Sequence, residues 1–164
     1  MKFSGVLRRS FSTSETARLT GLSPRQLDHW DRKGFLSPSI ERAAGYGSFR
    51  RYSFADVVRL KVAARLRAAG VGLARIRRCA EALARLDPDS DLGEARLLVV
   101  GNRVLWARSD RELVDLLKEG QMVLVFSLNE TVAEAAGAVA NLAREDENAD
   151  PTVARATRRS PRHP

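Results

Sequence analysis

The stretch from Gly21 to Pro38 constrains the fold of this chain more than any other part of its sequence. Ser23 can cap the free backbone amides of a helix, and Pro24 suits the first helical position because it lacks an N–H that would stay unpaired there. Gly34 is placed to end that helix. The pattern therefore predicts a short helix over 24–33, bounded at both ends by local sequence signals.

A second short helix is predicted just before it. Ser14–Thr20 has Ala17 and Leu19 as candidate inward side chains, and Gly21 is placed to end the helix in a left-handed conformation. Two helices joined by a tight turn that contains glycine predict a helix-turn-helix, in which the first helix supports the second and the second enters a groove. One face of the 24–33 helix is therefore expected to stay exposed for a partner.

A hairpin and two more helices are predicted next. The segment 40–52 has two glycines around a tyrosine, followed by aromatic and basic residues, which favours a small hairpin, here called the wing. Ser53 and Asp56 form a capping-box pattern for a helix that ends near residue 69, and a further helix is predicted over 73–86. These elements complete a predicted N-terminal domain over 11–86.

A polar run at 87–91 predicts a domain boundary. The pattern beyond it predicts two strands, a helix, a strand and a helix, in the ranges 97–100, 104–107, 109–120, 122–126 and 131–142. The apolar run 122–126 is typical of a central strand covered on both sides. The sequence thus predicts a mainly α fold with small β elements (α+β). It has a winged helix-turn-helix domain, a small ββαβα domain over 92–143 and a disordered tail over 144–164.

Composition excludes several classes of protein. No run approaches the roughly eighteen apolar residues of a membrane span, and residues 1–11 lack the apolar stretch of a secretory signal, so a cytoplasmic protein is expected. The single cysteine, Cys79, can form neither an internal disulfide nor, by itself, a thiolate zinc site. We interpret it as a small buried side chain on a helix, and we predict no cofactor and no metal.

The net charge of +8 is unevenly distributed along the chain. Residues 1–79 hold 17 Lys and Arg against 5 Asp and Glu, residues 80–143 hold 6 against 11, and residues 144–164 hold 5 against 4. The positive potential therefore belongs to the N-terminal half, which indicates a polyanionic partner there.

Three ordered sets of residues carry a family resemblance. The first set, in the helix-turn-helix, is Ala17, Gly21, Leu22, Ser23, Arg25, Gln26, Leu27, Trp30, Asp31, Gly34, Phe35, Leu36 and Pro38. The second set is Arg51, Tyr52, Ser53, Asp56, Val57 and Leu60, and the third is Leu66, Gly70, Val71, Leu73 and Ile76. In this order and spacing, residues 11–78 resemble the MerR-type winged helix-turn-helix regulators.

Two further features are similar to an actinobacterial-type subgroup of that family. Asp28 stands where most relatives carry Arg, and Glu112–Gln121 matches the end of a helix in a small C-terminal domain. The resemblance implies a homodimeric, sequence-specific regulator of transcription in the cytoplasm, associated with the nucleoid. Such a regulator binds a palindromic promoter site on double-stranded DNA and distorts it to adjust promoter geometry for RNA polymerase. The resemblance leaves open whether the C-terminal domain binds a small-molecule effector.

The chain also departs from the family's pattern. Metal-sensing members place cysteines beyond a long dimer helix, whereas this chain has only Cys79, so metal sensing is not expected. The helix predicted over 73–86 would be only about 21 Å long and therefore a weak coiled-coil clamp. We therefore expect the C-terminal domain to supply much of the dimer contact, through the strand 122–126 or the helix after it.

The helix-turn-helix and the wing supply the candidate DNA contacts. Arg25 and Gln26 lie in the first turn of the second helix, where Arg can pair with guanine and Gln with adenine, although contact with phosphate or with solvent alone stays open. Trp30 is expected to lie partly in the core, with its indole N–H available to a phosphate. The predicted DNA-binding residues are Ser14, Arg18, Ser23, Arg25, Gln26, His29, Trp30, Arg32, Lys33, Arg42, Arg50, Arg51 and Tyr52, with Lys61 as a further candidate.

Asp28 stands out in that helix because a carboxylate repels phosphate. It either pairs with Arg25 or Arg32 at helical spacing or accepts a hydrogen bond from cytosine N4, and we favour the ion pair.

Two other function classes remain for comparison. An architectural or recombination-directing factor would use the same module to bend DNA without acting through RNA polymerase. An enzyme is not expected, because the only histidines are His29 and His163, and the sequence has no paired catalytic carboxylates and no phosphate-cradling glycine loop.

Overall fold

The computed structural model describes residues 10–42, 49–84, 96–100, 103–107 and 123–149. As predicted, the fold is mainly α with small β elements. The elements are α1 (Thr13–Thr20), α2 (Pro24–Arg32), α3 (Phe54–Ala68), α4 (Leu73–Ala84), β1 (Arg96–Val100), β2 (Arg103–Ala107), β3 (Val123–Ser127) and α5 (Leu128–Ala149). The predicted boundary at 87–91 and the predicted helix at 109–120 lie outside the described residues.

Local sequence sets the ends of α1 and α2. Helix α1 begins one residue before the predicted Ser14, because Ser12 and Glu15 form a capping box. It ends at Gly21, whose φ of 74° lies in the left-handed region that glycine adopts without strain. Helix α2 begins as predicted, with Pro24 as its first residue after the cap Ser23.

Helices α3 and α4 carry most of the N-terminal core. Ser53 and Asp56 form the predicted capping box of α3, and Leu60 and Leu66 on that helix are 1% and 0% exposed. Cys79, on α4, is 1% exposed, which confirms its interpretation as a small buried side chain. Burial raises the pKa of this thiol to about 11.

The three strands form an antiparallel sheet in the order β2-β1-β3. Leu98 at the middle of β1 stands opposite Leu105 of β2 on one side and Val125 of β3 on the other. The prediction that 122–126 is a central strand is wrong for the sheet formed by the described residues, in which β1 is central and β3 lies at an edge. Both strands are apolar runs, so hydrophobicity alone does not decide which of them pairs on both sides.

Helix α5 is longer than the predicted 131–142. It begins directly after β3, where the Ser127 hydroxyl accepts a hydrogen bond from the backbone amide of Glu130. It continues through 144–149, so the prediction of a disordered tail is wrong for these six residues. Glu145 in this extension pairs with Arg18, and Ala, Glu and Arg are favourable helix residues.

One buried cluster joins the helix-turn-helix to the C-terminal elements. The buried apolar residues of α5 recur at alternating spacings of four and three residues, as one face of a helix requires: Leu128, Val132, Ala135, Val139 and Leu142. They pack in the same cluster as α1, α3 and two residues of β1, Leu97 and Val99. Among the described residues, no helix is both long enough and apolar enough to cross a lipid bilayer.

Candidate nucleic-acid interface

Helix α2 buries one narrow stripe and exposes the opposite side. Leu27 and Trp30 are 1% and 5% exposed and belong to the core. Arg25, His29 and Arg32, at spacings of four and three residues, lie on one exposed face. We call these three residues the basic face of α2. Three basic side chains on so short a helix form a surface suited to phosphates and base edges.

The C-terminal end of α2 is held by contacts that the sequence analysis did not predict. The Phe35 amide donates to the carbonyl oxygen of Trp30 at 2.8 Å, and the two rings meet edge to face with centroids 5.0 Å apart. The Arg77 guanidinium, on α4, donates to the carbonyl oxygens of Lys33 and Gly34 at 3.3 and 3.2 Å. A cation at this end also complements the helix dipole. Arg77 thus connects α4 to the end of α2.

Gln26 has a structural role at the start of α2. Its side-chain oxygen accepts hydrogen bonds from the Ser23 amide at 2.8 Å and from the Ser23 hydroxyl at 3.0 Å. The Ser23 hydroxyl in turn accepts from the Gln26 amide at 3.2 Å. Paired recognition of adenine needs both the oxygen and the amino group of Gln. In this conformation only the amino group is available, so recognition of adenine would require Gln26 to leave the cap.

The Asp28 carboxylate is paired, as predicted. Arg32 Nε lies 3.1 Å from one Asp28 oxygen, at the i,i+4 spacing expected for a helix. A second partner was not predicted: a terminal nitrogen of Arg50 lies 2.8 Å from Asp28 Oδ1, the oxygen to which Arg32 Nε also donates at 3.2 Å. Asp28 therefore contacts two guanidinium groups.

Arg50 is bound to α2 through two carboxylates. Besides its contact with Asp28, its Nε donates to Asp31 at 2.7 Å. The Arg50 side chain is 17% exposed and that of Asp31 is 11% exposed. The hydrogen bond that Arg50 donates to Asp31 is the largest cause that raises the pKa of Arg50, followed by the opposing effect of burial. We call Arg50, Asp28 and Asp31 the wing clamp.

The base of the predicted wing is a small set of backbone pairs. Tyr52 pairs with Phe11, with both N–H···O distances at 2.8 Å, and Arg51 pairs with Glu41 at 2.9 and 3.2 Å. Because neighbouring residues of an extended chain turn to opposite sides, Arg50 lies against α2 while Arg51 is exposed. The tip of the wing, 43–48, lies outside the described residues.

Two predicted DNA-binding residues lie in the core. Trp30 is 5% exposed, so little of its ring can act as a platform for DNA. Tyr52 is 1% exposed. Both aromatic rings belong to the same buried cluster, a role that the spacing alone did not distinguish from a surface role.

Arg18 and Lys61 are directed toward α5 and its neighbours. Arg18 pairs with Glu145. The Lys61 ammonium donates to the carbonyl oxygen of Leu19 at 3.3 Å and lies 3.8 Å from Glu134. The remaining predicted residues are exposed: Ser14, Ser23, Lys33 and Arg42.

Two carboxylates with structural roles were missed or only partly predicted. Asp31 was predicted only as a residue that matches the family pattern, and its partner Arg50 is 19 residues away, beyond any helical spacing. Asp56 was predicted only as a cap, yet it also accepts from the amide and hydroxyl of Ser39 at 2.8 and 2.7 Å. The signal that could have found both pairs is the occurrence of acidic residues inside a strongly basic region.

The proteins to which this chain is similar agree with the geometry of the interface. The family described as MerR HTH family regulatory protein matches residues 11–83. Relatives from Mycobacterium bovis and Mycobacterium tuberculosis, each named an uncharacterized HTH-type transcriptional regulator, are 36% identical over 137 residues. The aligned region is 84% of this chain and 60% of each relative. The chain thus spans less than two thirds of the length of these curated relatives.

The match covers every element of the described interface. It includes α1, α2, the base of the wing, α3 and nearly all of α4. The resemblance predicted from the sequence is therefore confirmed for this part of the chain. Residues 11–83 of this chain match the family described as MerR HTH family regulatory protein, and the relatives named HTH-type transcriptional regulators are similar to the chain over 137 residues.

Proposed function

We propose that this chain is a DNA-binding regulator of transcription and that α2 lies in the major groove of its DNA. The observation that carries the proposal is the basic face of α2: Arg25, His29 and Arg32 are exposed together on a helix whose other side is fixed in the core. Exposed Arg51 lies on the adjacent wing, where it can contact a phosphate. The mycobacterial relatives are named HTH-type transcriptional regulators, which supports the same class of function.

We also propose that the regulator acts as a homodimer on a palindromic promoter site. One helix as short as α2 reads only a few base pairs, and a dimer doubles the site that is read. Of the two dimer surfaces expected from the sequence, the apolar stripe of α5 is buried within the chain. The edge strand β3, with Val125 42% exposed, is then the surface we propose for dimerisation.

The family resemblance supports the finer parts of the proposal. Distortion of the duplex and action with RNA polymerase at the promoter are properties that the resemblance implies. A regulator of this kind acts in the cytoplasm, at the nucleoid. We propose a binding role for the chain rather than a catalytic one.

The test of DNA binding compares two arginines. Genome-wide mapping would supply the preferred duplex, and fluorescence anisotropy would measure its affinity over a range of salt concentrations. We expect Arg25→Ala to weaken binding to the preferred duplex by roughly 5- to 150-fold, the usual cost of losing a paired base contact. Arg144→Ala, an equal change of charge at an exposed position of α5, is the matched control and should change affinity little.

Two results would contradict this proposal. Purified protein that prefers no chromosomal duplex over random DNA at low salt would exclude a sequence-specific regulator. Equal losses for the two variants would mean that α2 does not contact bases. In vitro transcription from the bound promoter then separates a transcription regulator from an architectural factor, because only the regulator changes the amount of transcript.

A further inference from the structure

The wing clamp changes the expected role of Arg50. Arg50 and Arg51 were both predicted to grip the DNA backbone from the wing. The structure separates them: the side chain of Arg50 is 17% exposed and bonded to two carboxylates of α2, at 2.7 Å to Asp31 and 2.8 Å to Asp28. No carboxylate lies within ion-pair distance of Arg51 in the described parts of the chain, and its side chain is exposed.

The charges of the clamp make Arg50 a poor ligand for phosphate. Its positive charge faces two negative charges, and Asp28 receives a second cation, Arg32. The clamp with Arg32 is therefore neutral as a group. A phosphate approaching Arg50 would also approach both carboxylates, which repel it. Hydrogen bonds between charged groups are strong and directional, so the clamp suits the fixing of one element against another.

The position of the clamp determines what it can fix. Asp28 and Asp31 lie three residues apart on α2, on the side next to the basic face, and Arg50 precedes the backbone pairs at the base of the wing. A fork of donors from one residue to two carboxylates restricts both distance and angle. The clamp therefore sets the orientation of the wing relative to the helix that reads DNA.

We infer that Arg50 is a positioning residue, which holds the wing at a fixed place beside α2 through Asp28 and Asp31, and that the phosphate contact of the wing belongs to Arg51. This inference rests on the proposed DNA binding. The two arginines therefore have different roles. Loss of Arg51 weakens binding to any duplex, whereas loss of the clamp mainly weakens the preference for the preferred duplex over a random one.

Two variants separate these roles. Arg50→Gln with Asp31→Asn removes the main contact of the clamp and leaves the net charge unchanged. Arg51→Gln removes one positive charge from the exposed side of the wing. Each is compared with the wild type for its affinity to the preferred duplex and to a random duplex, at several salt concentrations. Circular dichroism shows whether each variant is folded. If the double variant is not folded, Asp31→Asn alone takes its place in the comparison.

The expected results differ in kind. Arg51→Gln should weaken binding to both duplexes by a similar factor. It should also reduce the slope of log K against log salt by about 0.9, the value for one phosphate contact. The double variant should keep the wild-type slope on random DNA and lower the ratio of preferred to random affinity by at least about fivefold, the loss of one aligned base contact. Asp31→Asn alone should also lower that ratio.

Other outcomes would overturn the inference. If the double variant lowers the salt slope as Arg51→Gln does, Arg50 is itself a phosphate ligand. If Asp31→Asn strengthens binding and steepens the slope, Asp31 merely restrains a DNA-binding arginine. Both results leave the proposed function intact. If the wild type prefers no duplex at all, the proposed function fails and the inference fails with it.

Discussion

The side chain of Tyr52 is 1% exposed, and its hydroxyl oxygen is buried without a hydrogen-bond partner among the described residues. The backbone pair with Phe11 holds the residue in this place. Burial is the largest cause that raises the pKa of Tyr52 to about 12, and the nearby charge of Arg50 acts in the opposite direction. A buried, unpaired hydroxyl costs free energy, so the aromatic ring contributes to stability and the hydroxyl does not.

Replacement of Tyr52 by Phe tests this assignment. We expect Tyr52→Phe to leave the free energy of unfolding unchanged or to raise it by about 1 kcal/mol, because the ring is kept and an unpaired polar group is removed. DNA affinity should stay at the wild-type value, since the side chain does not reach the surface. Urea denaturation and anisotropy measure the two quantities. A loss of stability greater than about 1 kcal/mol would show that the hydroxyl has a partner.

The same burial predicts a pH dependence. The phenol stays neutral in the folded chain up to about pH 12, whereas in the unfolded chain it ionises near 10. The unfolded state therefore loses its proton first, so ionisation of Tyr52 leaves the free energy of unfolding unchanged below about pH 10 and lowers it as the pH rises toward 12. Absorbance titration of Tyr46→Phe, in which Tyr52 is the one remaining tyrosine, measures the pKa directly. A midpoint near 10 in the folded protein would contradict the burial of Tyr52.

Among the helices, α3 shows how one residue can serve both a cap and a tertiary contact. Asp56 is 3% exposed, and one of its oxygens accepts from the amide of Ser53 at 2.8 Å and from the amide and hydroxyl of Ser39 at 2.8 and 2.7 Å. The other oxygen pairs with Arg59. The start of α3 is thereby bonded to the segment that leads into the wing.

Replacement of Asp56 by Asn should separate the tertiary role from capping. We expect Asp56→Asn to lower the free energy of unfolding by about 2–3 kcal/mol, because hydrogen bonds to a charged acceptor are lost and an amide group faces donors. Ser53→Ala removes one capping contact and one contact with the Ser39 hydroxyl, and it should cost about 1 kcal/mol. Urea denaturation of both variants measures the difference. Equal costs would mean that the charge of Asp56 contributes nothing beyond the contacts that Ser53 makes.

At the scale of the whole molecule, α5 braces the helix-turn-helix. Its buried stripe packs in the cluster that contains α1 and α3. At the rim of this contact, the Arg65 guanidinium donates to both oxygens of Glu134 at 2.6 and 2.7 Å and to the Thr131 hydroxyl at 2.9 Å. The acidic residues of α5 thus meet basic residues of the N-terminal half. Because these pairs are partly exposed, we expect the apolar stripe to contribute most of the stability.

Features that depend on neighbouring residues could be predicted from the sequence, whereas features that depend on contacts between distant residues could not. The ends of α1, α2 and α3 depend on neighbours such as Ser23 and Gly21, and the local sequence was sufficient to predict most of them. The order of the strands and the pairing of Arg50 with Asp31 depend on contacts between distant parts of the chain. The packing of α5 on α3 also depends on such contacts. An amphipathic stripe indicates that one face of a helix is covered, but it does not indicate which element covers it.

Removal of one side chain from that stripe tests whether α5 and the helix-turn-helix unfold together. Leu142 is 4% exposed in the shared cluster, so Leu142→Ala should lower the free energy of unfolding by about 2–4 kcal/mol, the cost of a cavity in a packed core. Asn129→Ala, at an exposed position of the same helix, is the control and should cost little. In a Trp106→Phe background, Trp30 is the one tryptophan and lies in the helix-turn-helix. Its fluorescence should therefore follow the same shifted transition as the helical circular dichroism. A Trp30 transition that stays at its original midpoint would show that α5 is not part of the fold that supports α2.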